Sequence, residues 1–312
     1  MAGQPVILDC DPGTDDAIAL MLAIASPELD IRAVTVSGGN VGLARTLANA
    51  AALVTLSGGA VPVHGGADRP LLGAFEDAAY VHGADGLAGV TLPKGAPPAD
   101  GLAADAIRSI LRAARETVTL IGIAPVTNLA LALATEPALA AKVEQIVLMS
   151  GAWGEGNVTP LAEFNAFSDP EALAILLAAE RPIVLVPLEL TAQALVTTER
   201  IAMLQARGGG RALRTACEIL AAVPFSPRVG GIGHPLHDPC AVAWMLRPEL
   251  FGGRASHVGV ELSAGASRGR TVIDRVQTTG RPANALVLET LDADGFFDLL
   301  GERLASLPRG VI

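Results

Sequence analysis

The sequence predicts a single α/β domain spanning residues 1–312, with a mainly parallel central sheet flanked by helices, Rossmann-like in layout, and a small antiparallel extension. Three observations carry this. Short β-branched apolar runs alternate with Ala/Leu-rich stretches of helical period, the pattern of a parallel sheet covered on both faces. The Gly/Pro-rich stretches at 92–100 and 208–210 are short enough to be surface turns, so nothing separates two domains. Polar residues gather where the predicted strands end, which is where open α/β sheets bind their ligands.

Taken in order, the strands read at 6–8, 31–37, 118–123, 145–149 and 183–187, and the helices at 16–25, 44–57, 102–114, 128–134, 170–179 and 211–222. Shorter runs at 258–262, 271–274 and 285–288 read as an antiparallel edge or hairpin, and 292–307 as a closing amphipathic helix. The first strand ends in Asp9–Asp11, the second in Gly38-Gly39-Asn40 and the third in Pro125-Val126-Thr127-Asn128. The fourth leads through Ser150-Gly151 into a loop carrying Asn157, Glu163, Phe164 and Asn165. Such a mouth offers many oxygens and few cations, which suits a metal ion and a neutral hydroxylated ligand.

Composition narrows the partners. The formal net charge is −10, and Lys94 and Lys142 are the only lysines, which argues against nucleic acid and its cationic phosphate contacts. Cys10, Cys217 and Cys240 show no paired spacing, so free buried thiols in a reducing compartment are expected. The start MAGQPVILD enters a strand without a basic or apolar leader, and no apolar run reaches the roughly 18–20 residues of a membrane span. The expectation is a soluble cytoplasmic protein without membrane or nucleic-acid partners.

The stretch VILDCDPGTDDAIAL, residues 6–20, carries Asp9, Asp11, Asp15 and Asp16 within eight positions. Carboxylates this close repel one another unless some are protonated or a cation joins them. Helix capping by Thr14 or Asp15, with Asp16 as a first-turn charge, accommodates one or two of them but not four. A hard divalent cation accommodates all, because it takes oxygen ligands. An aspartyl-phosphate phosphatase shares the Asp-x-Asp pair. It expects Thr or Val where Gly13 stands, and a phosphate-holding lysine that neither Lys94 nor Lys142 is placed to supply. Further on, His234-Pro235-Leu236-His237-Asp238-Pro239-Cys240 reads either as a capped helix start, with Asp238 as N-cap and Pro239 at the first helical position, or as a second contribution to the site. No HExxH pattern points to zinc. Val81-His82-Gly83-Ala84-Asp85-Gly86 is a glycine-flanked loop, and GGNVGLAR at 38–45 lacks both the GxGxxG spacing and a P-loop lysine.

Together DCDPGTDDAIAL, Gly39-Asn40, Val126-Thr127-Asn128, VLMSGAWGEGNVTPLAEFN from Val147 to Asn165, and HDPCAVAW from His237 resemble the nucleoside hydrolase family, the inosine–uridine-type ribonucleoside hydrolases, in order and spacing. The resemblance implies the nucleoside hydrolase fold and Ca²⁺ held by Asp11, Asp16, Asp238 and the backbone carbonyl of Thr127. It implies Asp11 as general base, Asp15 and Asn165 at the 2′-hydroxyl, and Asp238 and Asn40 near the 3′-hydroxyl. Asn157 and Glu163 would hold the 5′-hydroxyl, with Phe164 beside the ribosyl ring. His237 would protonate or contact the departing base and His82 would lie in the loop over the site, while Asp9 is expected to give outer support. The family's purine-tolerant members carry tyrosines before this histidine. Here AVPFSPRVGGIGHPLHDP has none, offers Phe225, Arg228 and His234 instead, and is nearer the pyrimidine-preferring branch. The implied activity is Ca²⁺-dependent hydrolysis of ribonucleosides such as uridine and cytidine, for nucleoside salvage, by a homodimer or homotetramer. A purine or modified-nucleoside hydrolase, and a ribonucleoside-binding protein without catalysis, are the alternatives.

Overall fold

The computed structural model describes residues 3–308. In chain order the first half comprises β1 (Gln4–Cys10), α1 (Thr14–Ile24), β2 (Leu29–Val36), α2 (Leu43–Leu56), β3 (Val63–Gly65), α3 (Ala79–His82), α4 (Ala103–Ala113), β4 (Val118–Gly122), α5 (Thr127–Thr135) and β5 (Val143–Met149). Next come α6 (Phe164–Ser168), α7 (Pro170–Leu177), β6 (Ile183–Val186), α8 (Leu188–Thr191), β7 (Leu195–Val196), α9 (Thr198–Ala206) and α10 (Arg211–Ala222). The chain closes with β8 (His234–Pro235), α11 (Pro239–Leu246), β9 (Phe251–Val260), β10 (Thr271–Asp274), β11 (Ala285–Leu291) and α12 (Ala293–Ser306). Among the described residues no helix is long and apolar enough to cross a membrane, and all three cysteines are buried free thiols.

Nine strands form one sheet in the order β10-β9-β11-β6-β5-β4-β1-β2-β3, parallel from β3 to β11 and antiparallel at β9 and β10. The predicted parallel strands and antiparallel edge are therefore present. β3 was not expected, because three residues are too few to show a period. α9 was not expected as a helix either, and of α11 only the start at Asp238–Pro239 was read, as one of two alternatives. PCAVAWML in α11 is apolar on every side, and such a run does not distinguish a buried helix from a strand.

The order of strands decides where the site lies. From β1 the chain steps outward to β2 and β3, then returns to β4 on the other side of β1. The carboxyl end of β1 is thus the switch point at which an open sheet leaves a crevice. Side-chain parity sets the two layers. Val6, Leu8 and Cys10 enter the core shared with α1, α2, α10, α11 and α12, while Ile7 enters the core under α4, α5 and α7. α1 is buried from Asp16 to Ala23 because helices surround it, so its sequence is apolar nearly all round.

Capping differs from the sequence alternative. Gly13, not Thr14 or Asp15, is the N-cap of α1, and Asp16 at the third helical position reaches back to the Gly13 N–H at 3.1 Å. A β1 that is rigid at its centre is what keeps this turn in place. Leu8→Ala, at a position with no exposure, should cost about 2–5 kcal/mol in chemical denaturation; a loss below about 1 kcal/mol would mean that the strand is not packed as described.

Candidate active site

Strand parity turns Asp9 the same way as Ile7, toward α5. There Thr35 Oγ1 and Asn128 Nδ2 donate to its Oδ1 at 2.6 and 2.9 Å, while Oδ2 is buried without a partner. Burial lifts its pKa to about 7 in spite of both hydrogen bonds. Asp9 stands behind the turn and does not line the cavity.

The three other aspartates meet at the start of α1. Asp16 accepts from the Asp11 N–H (3.0 Å), the Gly13 N–H and Asn40 Nδ2 (2.8 Å). The Asn40 N–H donates to Asp11 Oδ2 at 2.6 Å, and Asn40 Nδ2 also reaches the Asp11 carbonyl at 3.1 Å. This approach requires a bare backbone at Gly39, where an added Cβ would lie 2.0 Å from Asp11 Oδ2. Asp238 arrives from the start of α11. The helix start read from the sequence is present, with Asp238 at the N-cap and Pro239 at the first helical position, but the Asp238 side chain makes no capping hydrogen bond and is left for the site. Carboxylate oxygens of Asp15, Asp16 and Asp238 lie within 4.8 Å of one another. Asp11 stands against Asp16, with its Oδ1 buried and without a hydrogen-bond partner.

Magnitudes decide what this cluster needs. Two unit charges near 5 Å repel by about 3 kcal/mol at an effective dielectric of about 20. A helix N-terminus returns about 0.3–1 kcal/mol per carboxylate, up to about 2. Protonation or a cation must supply the rest. Accordingly burial, joined by neighbouring carboxylates, pushes Asp11 and Asp238 well above the usual range and Asp16 to about 7. The donor set is entirely hard oxygen, and the one guanidinium in the cavity wall, Arg228, is hydrogen-bonded to the Gly156 carbonyl. The residues present therefore fit a divalent cation of the Ca²⁺/Mg²⁺ type. Thr127 begins α5 beside the end of β4, with its hydroxyl donating to Asp169 Oδ2 at 2.6 Å.

Above the cluster lies a cavity of about 510 Å³, the size of a small-molecule site. Asp15, Asn40, His82, Asn157, Glu163, Phe164, Asn165, His237 and Asp238 all line it, whereas Asp11, Asp16 and Thr127 do not. Glu163 N-caps α6, accepting from the Asn165 and Ala166 N–H groups, and takes the Gly151 N–H as well. Burial raises its pKa, and these bonds oppose the rise. Asn165 spends its Nδ2 on the Ile123 and Met149 carbonyls, which leaves Oδ1 for a ligand. Asn157 Oδ1 accepts the Phe164 N–H at 2.9 Å.

Three histidines also line the cavity, each held differently. The Thr14 N–H donates to His82 Nδ1 at 3.2 Å, so a neutral His82 carries its proton on Nε2. His237 Nδ1 lies 2.7 Å from Thr191 Oγ1, and burial lowers the pKa of both rings. His234 is turned away, with Nε2 at 3.0 Å from the Leu220 carbonyl in the last turn of α10. Of the three leaving-group candidates read from the sequence, His234 and Arg228 are thus occupied by main-chain carbonyls. Neither Thr14 nor Thr191 was read from the sequence as the partner of a histidine. Thr14 reads as a helix-start residue, and only the fold brings Thr191 to His237.

The sequence matches the family described as inosine-uridine preferring nucleoside hydrolase over residues 6–298. It is 44% identical over 308 residues to a pyrimidine-specific ribonucleoside hydrolase RihA of Shewanella sp. (strain ANA-3), covering 97% of this chain and 96% of that one. It is 45% identical over 307 residues to its namesake from Photobacterium profundum, covering 97% and 99%. Among solved structures, the purine-preferring ribonucleoside hydrolase from Gardnerella vaginalis superposes with a TM-score of 0.90 at 28% identity, over 98% of this chain and 99% of that one.

The raised carboxylate pKa values set a pH dependence. Without a cation the folded protein holds protons that the unfolded chain releases above about pH 4, so this stabilisation is lost as pH rises through about 7. A cation replaces those protons. Added calcium should therefore raise the melting temperature by more at about pH 8 than at about pH 5.5; equal increments, or none, would contradict a cation seat among these carboxylates.

Proposed function

The chain belongs to the inosine-uridine preferring nucleoside hydrolase family, and on that premise we propose that it is a calcium-dependent hydrolase that splits pyrimidine ribonucleosides into free base and ribose. Hydrolysis of ribonucleosides follows from the family. The calcium and the pyrimidine preference are our reading. The observation that carries it is the carboxylate cluster, with a buried and unpartnered Asp11 Oδ1, whose members Asp15 and Asp238 line a small-molecule cavity. The pyrimidine preference draws on the 44–45% identity to pyrimidine-specific enzymes.

Calcium, held by Asp11, Asp16, Asp238 and the Thr127 carbonyl, would fix the sugar's vicinal diol and make water easier to deprotonate. The remaining steps belong to the chain. Asp11 Oδ2 is committed to the Asn40 N–H, so Oδ1 is the atom that takes a proton from the attacking water. As water approaches C1′, the N-glycosidic bond breaks with its electron pair going to the base, and positive charge grows on the ribosyl ring. Asp15, Asp238 and Asn165 Oδ1 surround that charge and hold the 2′- and 3′-hydroxyls, with Asn40 beside the latter. Asn157 and Glu163 receive the 5′-hydroxyl, and Phe164 closes the ring's far side. Thr191 engages His237 at Nδ1 and leaves Nε2 to contact the departing base. An acidic cavity of this kind disfavours a 5′-phosphate and so favours nucleosides. A homodimer or homotetramer in the cytoplasm completes the reading.

Asp11→Ala should stay folded and lose about 100- to 10,000-fold in kcat. Exhaustive chelation should abolish turnover, and activity that survives it would rule out the cation's part. Deoxyuridine should be hydrolysed roughly tenfold to a hundredfold more slowly than uridine, since a hydrogen bond to charged groups is lost; equal rates would contradict the sugar seat. Reducing-sugar release from uridine, cytidine, inosine and adenosine tests the base. Faster turnover of the purines would overturn the pyrimidine preference, and nucleoside binding without turnover would leave a binding protein.

A further inference from the structure

His82 faces the cavity from a segment that could easily be misplaced. α3, which bears it, is one turn long, and the chain then runs through Gly83, Gly86 and Gly89, all at positive φ. Inside this segment the Ala88 N–H reaches the His82 carbonyl (2.8 Å) and Asp85 Oδ1 accepts the Leu87 N–H (2.9 Å). Those bonds shape the loop without saying where it sits. From outside, the Ala78 N–H donates to the Asn40 carbonyl at 3.0 Å and Leu87 is buried in the core, and a third hold comes from Asn49, in the middle of α2. Asn49 Nδ2 donates to the Asp85 carbonyl at 2.9 Å and to the Pro12 carbonyl at 3.1 Å. One amide thereby joins the loop after His82 to the turn between Asp11 and Asp15. The junction is close-packed. A Cβ at Gly86, where φ is +81°, would lie 3.0 Å from Asn49 Nδ2 and 3.1 Å from the Pro12 carbonyl oxygen. Two residues beyond Pro12, Thr14 holds the His82 ring itself.

We propose that Asn49 is a positioning residue for His82: by spending both amide protons on these two carbonyls it holds the imidazole in register with the aspartate turn, so that the ring facing the base and the carboxylates facing the sugar move as one. The effect on catalysis rests on the reading that His82 meets the nucleoside; the tether itself does not. A residue acting through His82 has a recognisable signature. Asn49→Ala should lower kcat/KM for uridine roughly tenfold or more, the size expected when a group that meets the substrate is misplaced by a fraction of an ångström to about 1 Å. Ribose, which lacks a base, should inhibit the variant as well as the wild type. In a His82→Ala background the same substitution should change kcat/KM by about twofold or less.

Kinetics of the four proteins, with ribose inhibition, test this. Loss confined to the background that contains His82 supports the proposal. Equal loss in both backgrounds, a parallel rise in the ribose inhibition constant, or no loss at all would overturn it. Should Asn49→Ala fail to fold, Asn49→Leu keeps the volume without charge, removes both donors and is read the same way. Amide hydrogen exchange gives a second readout that needs no activity. Faster exchange in Asn49→Ala at residues 83–89, with α1 unchanged, supports the tether, and unchanged exchange there overturns it. If the wild type hydrolyses no nucleoside, the proposed function has failed, and exchange alone decides the tether.

Discussion

Mutual repulsion among carboxylates at the end of β1 is the constraint on which the rest of this structure depends. Asp11, Asp16 and Asp238, in the turn after β1 and at the starts of α1 and α11, are each almost wholly buried, with little water to screen them. The fold answers with donors that hold the carboxylates in place: the backbone of the turn itself, and Asn40 from the end of β2. It leaves other oxygens unanswered, Asp11 Oδ1 foremost. Such a group is costly in a protein that does nothing with it. Placed at the switch point, under a cavity, it becomes a seat for a cation and a sugar.

The cavity then divides into halves of different character. The sugar half is over-determined. Asp16 accepts three hydrogen bonds, Asn40 donates three, and Glu163 is fastened by several main-chain N–H groups. The base half is assembled from sparser contacts. His237 rests on one hydroxyl, and His234 is committed to the end of α10. Phe225 and Ile232, in the segment between α10 and β8, are exposed. Recognition of ribose is thus built into the sheet, and recognition of the base is left to a segment that can differ between relatives with the same scaffold.

How much was legible in the sequence follows from the range of the interactions. The aspartate turn was legible because its repulsion is local, and the parallel sheet because a buried strand advertises itself in β-branched runs. The resemblance supplied the members that come from far along the chain, and nine of the named side chains do line one cavity. The Asp238 position was ambiguous, because capping and ligation call for the same residue type; only the idle side chain separates them. Asn49 was invisible. An asparagine within a helix reads as a weak helix former, and both carbonyls it serves reach it through tertiary packing. β3 was missed for a simpler reason, being too short, and α11 was legible only at its start because the run that follows is too uniformly apolar.

If the carboxylates, the cation and the sugar form one unit, ribose should not bind without the cation. Calorimetric titration of ribose into the protein, once with calcium and once after chelation, tests this most directly. The account predicts saturable binding with calcium, none after chelation, and little binding of 2-deoxyribose in either state. Ribose binding of equal affinity in both states would contradict it.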